Sequence, residues 1–244
     1  MRLRATVAYD GADFHGFQRQ TNARSVQNVL EEALSDTCGS SMSVVGAGRT
    51  DAGVHATGQV VAFDTQWAHP LIDLQNALNA RLPEDVAVLA LAECEASFHP
   101  RYSALSRTYE YTIAIRPIRH PLLRRTAWQL PSELDIARMN QAAQRFIGEH
   151  DFAAFGNPPQ GEVTVRRVLR AEWRAMTESD VLRFTIEANA FLYKMARHIV
   201  RALVLAGRGE LSADEMSDVL TSKDSQRIKG IAPACGLCLV SVTY

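Results

Sequence analysis

A short glycine-rich segment holds the residues with the clearest chemical potential. Residues 46–56 read Gly-Ala-Gly-Arg-Thr-Asp-Ala-Gly-Val-His-Ala, so Arg49 and Asp51 lie between glycines. Glycine adopts backbone angles that other residues avoid, and such a loop can present a carboxylate and a guanidinium to a ligand. Aspartate and glycine are also common turn formers. The residue types alone therefore leave a catalytic loop and an ordinary turn as alternatives.

A phosphate-binding loop is a third interpretation of these glycines. The dinucleotide fingerprint needs Gly-x-Gly-x-x-Gly at the opening of a helix, with an acidic residue ~20 positions later. Here Gly53 falls outside that spacing, and residues 57–63 predict a strand rather than a helix. A nucleotide-binding enzyme is therefore disfavoured.

The first half of the chain carries the elements that must position this loop. Ser25 is a good N-cap ahead of an apolar stripe with helical spacing, and Pro83 ends a second helical pattern. The resulting order, β-α-β-β-α-β, is that of a ferredoxin-like unit. The predicted strands cover residues 3–9, 42–45, 59–63 and 86–91, and the predicted helices begin at Ser25 and cover residues 71–82.

The second half mixes strands and helices in the same way, which predicts the α+β class. We expect two α/β domains, residues 1–105 with the aspartate loop and residues 106–244. In the second domain, the predicted strands cover residues 107–115, 165–175, 182–188 and 237–242, and the predicted helices cover residues 135–147, 191–205 and 212–220.

The cysteines do not form a convincing metal site. Cys235 and Cys238 have the spacing of half a zinc site or a redox pair. A structural zinc needs two more ligands, and neither Cys38 nor Cys94 has a Cys or His close by in the sequence. Because Cys235 and Cys238 open an apolar run that predicts a buried strand, we expect both to be buried free thiols that pack as small hydrophobes. No bound metal is expected.

Charge is distributed unevenly along the chain. The net charge is −1, but residues 97–125 hold six arginines and one acid, Glu110. Arginine matches phosphate oxygens well, so this segment is a candidate for phosphate contacts, with a solvated charged face as the alternative. The six are Arg101, Arg107, Arg116, Arg119, Arg124 and Arg125.

Membrane insertion and export are not expected. The sequence has no run of ~18 apolar residues. Its first residues, Met-Arg-Leu-Arg-Ala-Thr-Val, lack the apolar core and the small-residue cleavage site of a signal peptide. We therefore expect a cytoplasmic protein.

Residues 46–56 closely resemble the signature loop of the tRNA pseudouridine synthase A family. The similarity extends along nearly the whole chain. Further segments that resemble the family are Val-Ala-Tyr-Asp-Gly at residues 7–11, Phe-His-Gly-Phe-Gln-Arg-Gln at 14–20, Phe-His-Pro-Arg-Tyr-Ser-Ala at 98–104, Arg-Thr-Tyr-Glu-Tyr at 107–111, Ala-Asn-Ala-Phe-Leu-Tyr-Lys-Met-Ala-Arg at 188–197 and Ala-Pro-Ala-Cys-Gly-Leu-Cys-Leu at 232–239.

This resemblance implies a fold and a reaction. The fold is two ferredoxin-like α/β lobes of the pseudouridine synthase type on either side of a central cleft, in a homodimer. The reaction isomerises uridine to pseudouridine at positions 38–40 of the tRNA anticodon stem-loop. The N1–C1′ bond breaks, the base rotates, and C5 bonds to C1′. No cofactor and no metal are used, and the partner is the anticodon arm of tRNA.

The resemblance also assigns roles to five residues. Asp51 matches the catalytic aspartate, and Arg197 the arginine beside it. Tyr109 matches the active-site tyrosine, whose ring can stack on uracil and whose hydroxyl could move the C5 proton. Arg49 matches an arginine that takes up the space of a flipped base. Leu239 matches an apolar residue that covers the other base face.

The residues themselves leave alternatives at several of these positions. Arg197 shares a predicted helix face with Lys194, His198 and Arg201, which elsewhere would be a solvated basic face. Side chains alternate between the two faces of a strand, so Tyr109 shares a face with Arg107 and Tyr111. We expect Tyr111 to be a core residue. Arg49 could instead bind loop carbonyls, and Leu239 could be core. Whether Asp51 attacks C1′, adds to the base or removes the 2′ proton stays open.

Two departures from the family pattern lie outside these positions. Arg201 follows Ile-Val where the family usually has glycine. Ser225 replaces an arginine, and Ile228 with Lys229 replaces an Ala-Gly pair. These departures could change how the local helix packs and which tRNA substrates are accepted. The remaining rival to a synthase is an RNA-binding protein without activity.

Overall fold

The chain forms two compact α+β units. The computed structural model describes residues 1–158, 161–176 and 180–244. The first unit is Met1–Leu105 with Cys238–Tyr244, and the second is Ser106–Leu237. The α+β class is confirmed. The division into domains 1–105 and 106–244 stays a prediction, and the contacts place the last seven residues with the first unit.

The elements follow the order expected from the hydrophobic pattern, with two additional short strands. The strands are β1 (Arg2–Tyr9), β2 (Val45–Gly46), β3 (His55–Asp64), β4 (Val86–Glu93), β5 (Ser106–Ile115), β6 (Trp128–Leu130), β7 (Gly148–Asp151), β8 (Val165–Ala175), β9 (Val181–Ala188) and β10 (Leu237–Thr243). The helices are α1 (Val26–Cys38), α2 (Leu71–Arg81), α3 (Ile136–Ala143), α4 (Met195–Gly207) and α5 (Ala213–Ser222).

The first unit has the predicted ferredoxin-like arrangement. Its strands lie in the order β4-β1-β3-β2, and each neighbouring pair is antiparallel. Ser25 is confirmed as the N-cap of α1, since its side chain accepts a hydrogen bond from the Asn28 N–H. The last strand, β10, runs parallel to the start of β3, with Leu239 beside Ala56. The loop that contains Asp51 therefore connects the two-residue strand β2 to β3, the longest strand of this unit.

The second unit is built on the strand order β5-β9-β8-β7, all antiparallel, with β6 parallel to β5. Helix α3 packs against α4 and β8. The strands at residues 165–175 and 106–115 match their predictions closely. In β5, buried and half-buried residues alternate from Arg107 to Ile113, which is the period of a strand with one face in the core.

The predicted helix over residues 191–205 begins late. Helix α4 starts at Met195, because Lys194 adopts a left-handed conformation with φ 65°. The preceding Tyr193 forms a bridge with Asn157, whose carbonyl accepts a hydrogen bond from the Tyr193 N–H at 2.8 Å. The prediction that Lys194 belongs to the helical face was therefore wrong.

Within the described parts of the chain, no helix is long and apolar enough to cross a membrane. All four cysteines are free thiols and half-buried. Burial raises the pKa of the Cys235 thiol.

Candidate active site

The Asp51 loop is held on both sides by main-chain hydrogen bonds. The Phe17 N–H donates to the Thr50 carbonyl at 3.1 Å, and the Gly53 N–H donates to the Phe14 carbonyl at 3.3 Å. Asp51 closes a turn of its own, since its carbonyl accepts from the Val54 N–H at 3.1 Å. Its side chain is half-buried. The loop therefore presents the carboxylate from a fixed backbone.

Two glycines allow the first strand and its following loop to lie against this turn. Gly16 has φ +94°, and a Cβ there would lie 2.7 Å from the Thr50 carbonyl oxygen. Gly11 contacts the Val54 carbonyl so closely that any side chain would collide with main chain. The segments at residues 7–11 and 14–20 are thus the structural support of the aspartate loop.

A buried polar chain lies beneath the loop. The Tyr9 hydroxyl and the Thr50 hydroxyl are 2.8 Å apart, and Gln59 Nε2 is 3.4 Å from the Tyr9 oxygen. Gln59 Nε2 also donates to the Gly48 carbonyl at 3.0 Å. The exposed fractions of Tyr9, Thr50 and Gln59 are 4%, 6% and 0%. Burial raises the pKa of Tyr9 to about 12, so its hydroxyl stays protonated at neutral pH.

His55 joins the start of β3 to the end of β1. Its Nδ1 accepts a hydrogen bond from the Gly11 N–H at 3.1 Å and lies 3.1 Å from an Asp10 carboxylate oxygen. The same Asp10 oxygen caps the following turn by accepting from the Ala12 N–H at 3.0 Å. This contact fixes the C-terminal side of the Asp51 loop.

Arg49 and Leu239 occupy very different surroundings in the first unit. Arg49 is exposed. The Gly48 and Thr50 carbonyls on either side of it accept hydrogen bonds from Gln59 and Phe17, so these two carbonyls do not depend on Arg49. Leu239 is fully buried, on β10 beside Ala56.

Tyr109 lies on the buried face of β5 in the second unit. Its exposed fraction is 8%, and its ring meets the Phe191 ring edge-on at a centroid distance of 4.9 Å. Arg107 lies on the same face and donates to the Asn189 carbonyl at 2.8 Å. Tyr111 is fully buried and donates to the Pro233 carbonyl at 2.8 Å, which confirms it as a core position.

Arg197 projects from the first turn of α4 and is half-buried. Its Nε donates to the Ala232 carbonyl at 2.8 Å, and the Ala232 N–H donates back to the Arg197 carbonyl at 3.3 Å. One helical turn later, Arg201 Nε donates to the Lys229 carbonyl at 3.0 Å. This face of α4 is therefore engaged with residues 229–232 and is not a solvated basic face.

The arginines of residues 97–125 do not share one environment. Arg107 is buried, and Arg116 forms a 2.6 Å ion pair with Asp180. Arg119 and Arg124 are exposed. Only the exposed members of this segment are suited to meet phosphates directly.

The five predicted site residues are divided between the units. Asp51, Arg49 and Leu239 lie in the first unit, and Tyr109 and Arg197 lie in the second. Their individual roles stay predictions. Among the described residues, no group of three or more His, Cys, Asp or Glu side chains is arranged to hold a metal ion.

The sequence patterns did not single out Tyr9, Thr50 and Gln59 as residues that support the candidate site. A signal was available, because Gln59 is an amide inside the apolar run Gly-Gln-Val-Val-Ala-Phe at residues 58–63. A buried amide requires hydrogen-bond partners, so such a residue marks a structural contact. The identity of the partners could not be read from the pattern.

Comparison with known proteins identifies the relatives of this chain. The family described as tRNA pseudouridine synthase matches residues 5–103 and 142–244. A tRNA pseudouridine synthase A from Geobacter sp. (strain M21) is 39% identical, with 99% of this chain and 98% of that protein covered. A protein of the same name from Roseiflexus sp. (strain RS-1) is 44% identical, with 98% of this chain and 88% of that protein covered.

Among solved structures, the archaeal box H/ACA sRNP Nop10-Cbf5 complex aligns with a TM-score of 0.39 and 10% identity, covering 94% of this chain and 60% of that one. The assignment rests on the sequence matches, which span both units and include the Asp51 loop with its supporting segments. The chain belongs to the tRNA pseudouridine synthase family.

Proposed function

We propose that Asp51 is the catalytic carboxylate with which this chain isomerises uridine at positions 38–40 of tRNA. The reaction of the family converts uridine to pseudouridine in the tRNA anticodon stem-loop. The observation that carries the assignment is the loop itself. A half-buried carboxylate lies on a turn whose backbone is tied to residues 14–17 on both sides.

The chemistry needs one well-placed carboxylate. The N1–C1′ bond breaks, the uracil rotates, and a C5–C1′ bond forms, so no atom is gained or lost overall. C5 gives up its proton and N1 acquires one. Retaining glycosidases use a second carboxyl group to manage a leaving oxygen and an incoming water. Here the leaving base is also the incoming group, so Asp51 can suffice, whichever of the three routes it follows.

Tyr109 is the proposed contact for the uracil. Its ring is held edge-on by Phe191, which fixes its plane for stacking on a base. The hydroxyl would help move the C5 proton, passing on its own proton as it takes up the one from C5. Leu239 would cover the opposite face of the uracil; this role rests on the resemblance alone, since the side chain is fully buried on β10.

Arg197 is the proposed ionic partner of Asp51. The bond from its Nε to the Ala232 carbonyl orients the guanidinium. A nearby guanidinium favours the ionised form of a carboxylate, which the reaction requires. Arg49 would fill the space of the flipped uridine, and its exposure is consistent with that role.

The proposed partners follow from the family and from the exposed charges. The substrate is the anticodon arm of tRNA, with Arg119 and Arg124 contacting phosphates. The active form is a cytoplasmic homodimer that uses neither a cofactor nor a metal. Light scattering at micromolar concentration should give twice the 27.0 kDa of one chain, and the single-chain mass would refute the dimer.

The test is to incubate the protein with unmodified tRNA transcripts and map pseudouridine by carbodiimide-dependent primer extension. We expect new stops at positions 38–40 in transcripts that carry uridine there. Product at other positions would refute the proposed specificity. Absence of product on every transcript, with tRNA binding intact, would favour the inactive RNA-binding alternative.

A further inference from the structure

We propose that Gln59, Tyr9 and Thr50 form a positioning chain that holds Asp51 in its reactive place. The proposal rests on Asp51 being the catalytic carboxylate. The three side chains lie in the first unit, are at most 6% exposed, and connect the middle of β3 to the residue directly before Asp51. They contact one another through polar atoms at 2.8 and 3.4 Å.

The orientation of Gln59 is set by the loop. Its Nε2 donates to the Gly48 carbonyl at 3.0 Å, and a carbonyl can only accept. A flipped amide would place two oxygens against each other. Within the described residues, Gln59 Oε1 is buried without a hydrogen-bond partner. The amide thus keeps an orientation that leaves its own oxygen unsatisfied, because Nε2 is needed at the loop.

The direction of the remaining bonds follows from that orientation. The second hydrogen of Gln59 Nε2 faces the Tyr9 oxygen, which accepts it. The Tyr9 hydroxyl is buried, so its single hydrogen must be donated, and Thr50 Oγ1 at 2.8 Å is the acceptor. The chain therefore runs from Gln59 through Tyr9 to Thr50.

Thr50 is suited to transmit this constraint to the next residue. A β-branched side chain has restricted χ1, so fixing its hydroxyl also fixes the orientation of its Cα. The Thr50 carbonyl is fixed separately by the Phe17 N–H at 3.1 Å. With side chain and carbonyl both held, the peptide that leads into Asp51 has little freedom. Gln59 holds the same loop at Gly48, so one amide restrains it at two points.

The test compares four variants in a single-turnover assay with saturating enzyme and unmodified tRNA. Thr50→Val keeps the shape and removes the hydroxyl, whereas Thr50→Ser keeps the hydroxyl. The matched control is Thr65→Val in the same unit. Thr65 is also 6% exposed, and its hydroxyl accepts from the Trp67 N–H at 3.1 Å, beyond the far end of β3. Tyr9→Phe is a second way to break the chain if Thr50→Val does not fold.

We expect Thr50→Val and Tyr9→Phe to lower the conversion rate about 10- to 100-fold, because a misplacement of ~1 Å can cost about 100-fold. The tRNA dissociation constant should stay within threefold of wild type. Thr50→Ser should keep most of the wild-type conversion rate. Thr65→Val should convert uridine at the wild-type rate, although its melting temperature should be lower than that of the wild type. A purely structural role would instead give Thr50→Val and Thr65→Val the same profile.

Three outcomes would overturn the proposal. These are a Thr50→Val rate within threefold of wild type, an equal loss in Thr50→Ser, and an equal loss in Thr65→Val. Asp51→Asn is measured in parallel to separate the two levels of inference. If Asp51→Asn is inactive and Thr50→Val is normal, only the positioning chain fails. If Asp51→Asn converts uridine normally, the assignment of Asp51 as the catalytic carboxylate fails, and the positioning chain fails with it.

Discussion

Replacing Gly16 by alanine should reduce catalysis by displacing the Asp51 loop. The added Cβ would lie 2.7 Å from the Thr50 carbonyl oxygen and 3.3 Å from the Ala52 nitrogen. Ordinary contact begins at 3.4 Å, so the Thr50 carbonyl must withdraw by about 0.7 Å or the chain at Gly16 must move. The neighbours are main-chain atoms, which cannot rotate away as a side chain can.

Gly39 provides a matched control in the same unit. It also has a positive φ, +68°, at the C-terminus of α1, and a Cβ there meets nothing within 4 Å. Both substitutions carry the strain of a left-handed alanine, which costs about 1–2 kcal/mol. Only Gly16→Ala adds the collision with the loop. The difference between the two variants therefore isolates the effect of the loop position.

We expect Gly39→Ala to lower the free energy of unfolding by about 1–2 kcal/mol and to leave the single-turnover rate within threefold of wild type. Gly16→Ala should lose more stability, and its rate should fall about 100-fold at a temperature where both variants are folded. Urea unfolding and uridine conversion on a tRNA transcript measure the two quantities. Equal conversion rates in the two variants would refute the claim that the loop backbone sets the position of Asp51.

Three further perturbations probe the proposed roles. Asp51→Asn should lower turnover by more than about 1,000-fold and leave the tRNA affinity unchanged. The control Asp36→Asn, at an exposed position on α1, should have no effect on turnover. Turnover of Asp51→Asn within tenfold of wild type would contradict the catalytic role of Asp51. Tyr109→Phe should lower single-turnover conversion at least ~100-fold without weakening binding, and a rate within a few-fold of wild type would mean that Tyr109 only stacks. Replacing Arg119 and Arg124 together with alanine should reduce the slope of log affinity against log salt by about 2, and an unchanged slope would leave both as solvated charges.

The sequence was most informative where one element alone decides its own structure. Strand β8 matches its predicted residues because eleven positions lie in a single extended segment. Ser25 could be identified as an N-cap because its bond to the Asn28 N–H is local. Strands β6 and β7 have only three and four residues, too few to show a period.

Contacts between residues far apart in the sequence determine where helix α4 begins, which the sequence pattern did not predict. The apolar pattern at residues 191–194 continues that of α4, and Leu192 is indeed buried. The segment is nevertheless not helical, because Tyr193 bonds to Asn157 and Lys194 turns left-handed. For residues 191–194, the hydrophobic spacing therefore predicted the burial of Leu192 correctly and the secondary structure wrongly.

The supports of the candidate site depend on strand register, which the sequence does not show. Val7 pairs with Gln59, but Tyr9 pairs with Ala56, so the register shifts by one residue between them. That irregularity belongs to the same stretch of β1 and β3 from which Tyr9 and Gln59 meet. Asp51 could be proposed as the catalytic residue from its loop because the whole segment is distinctive. The residues that hold it are distributed over two strands, and only the pairing of those strands brings them together.

Two of the residues that depart from the expected family pattern are in contact in the second unit. Arg201 and Lys229 both differ from the usual residues, and Arg201 Nε donates to the Lys229 carbonyl at 3.0 Å. A glycine at position 201 could not make this bond, while any residue at position 229 offers the same carbonyl. Arg197 makes an equivalent bond to Ala232 three residues further on. Since Arg197 keeps its own acceptor, the bond from Arg201 adds a second attachment of α4 to residues 229–232. Arg201 therefore adds to how firmly residues 229–232 are held against α4.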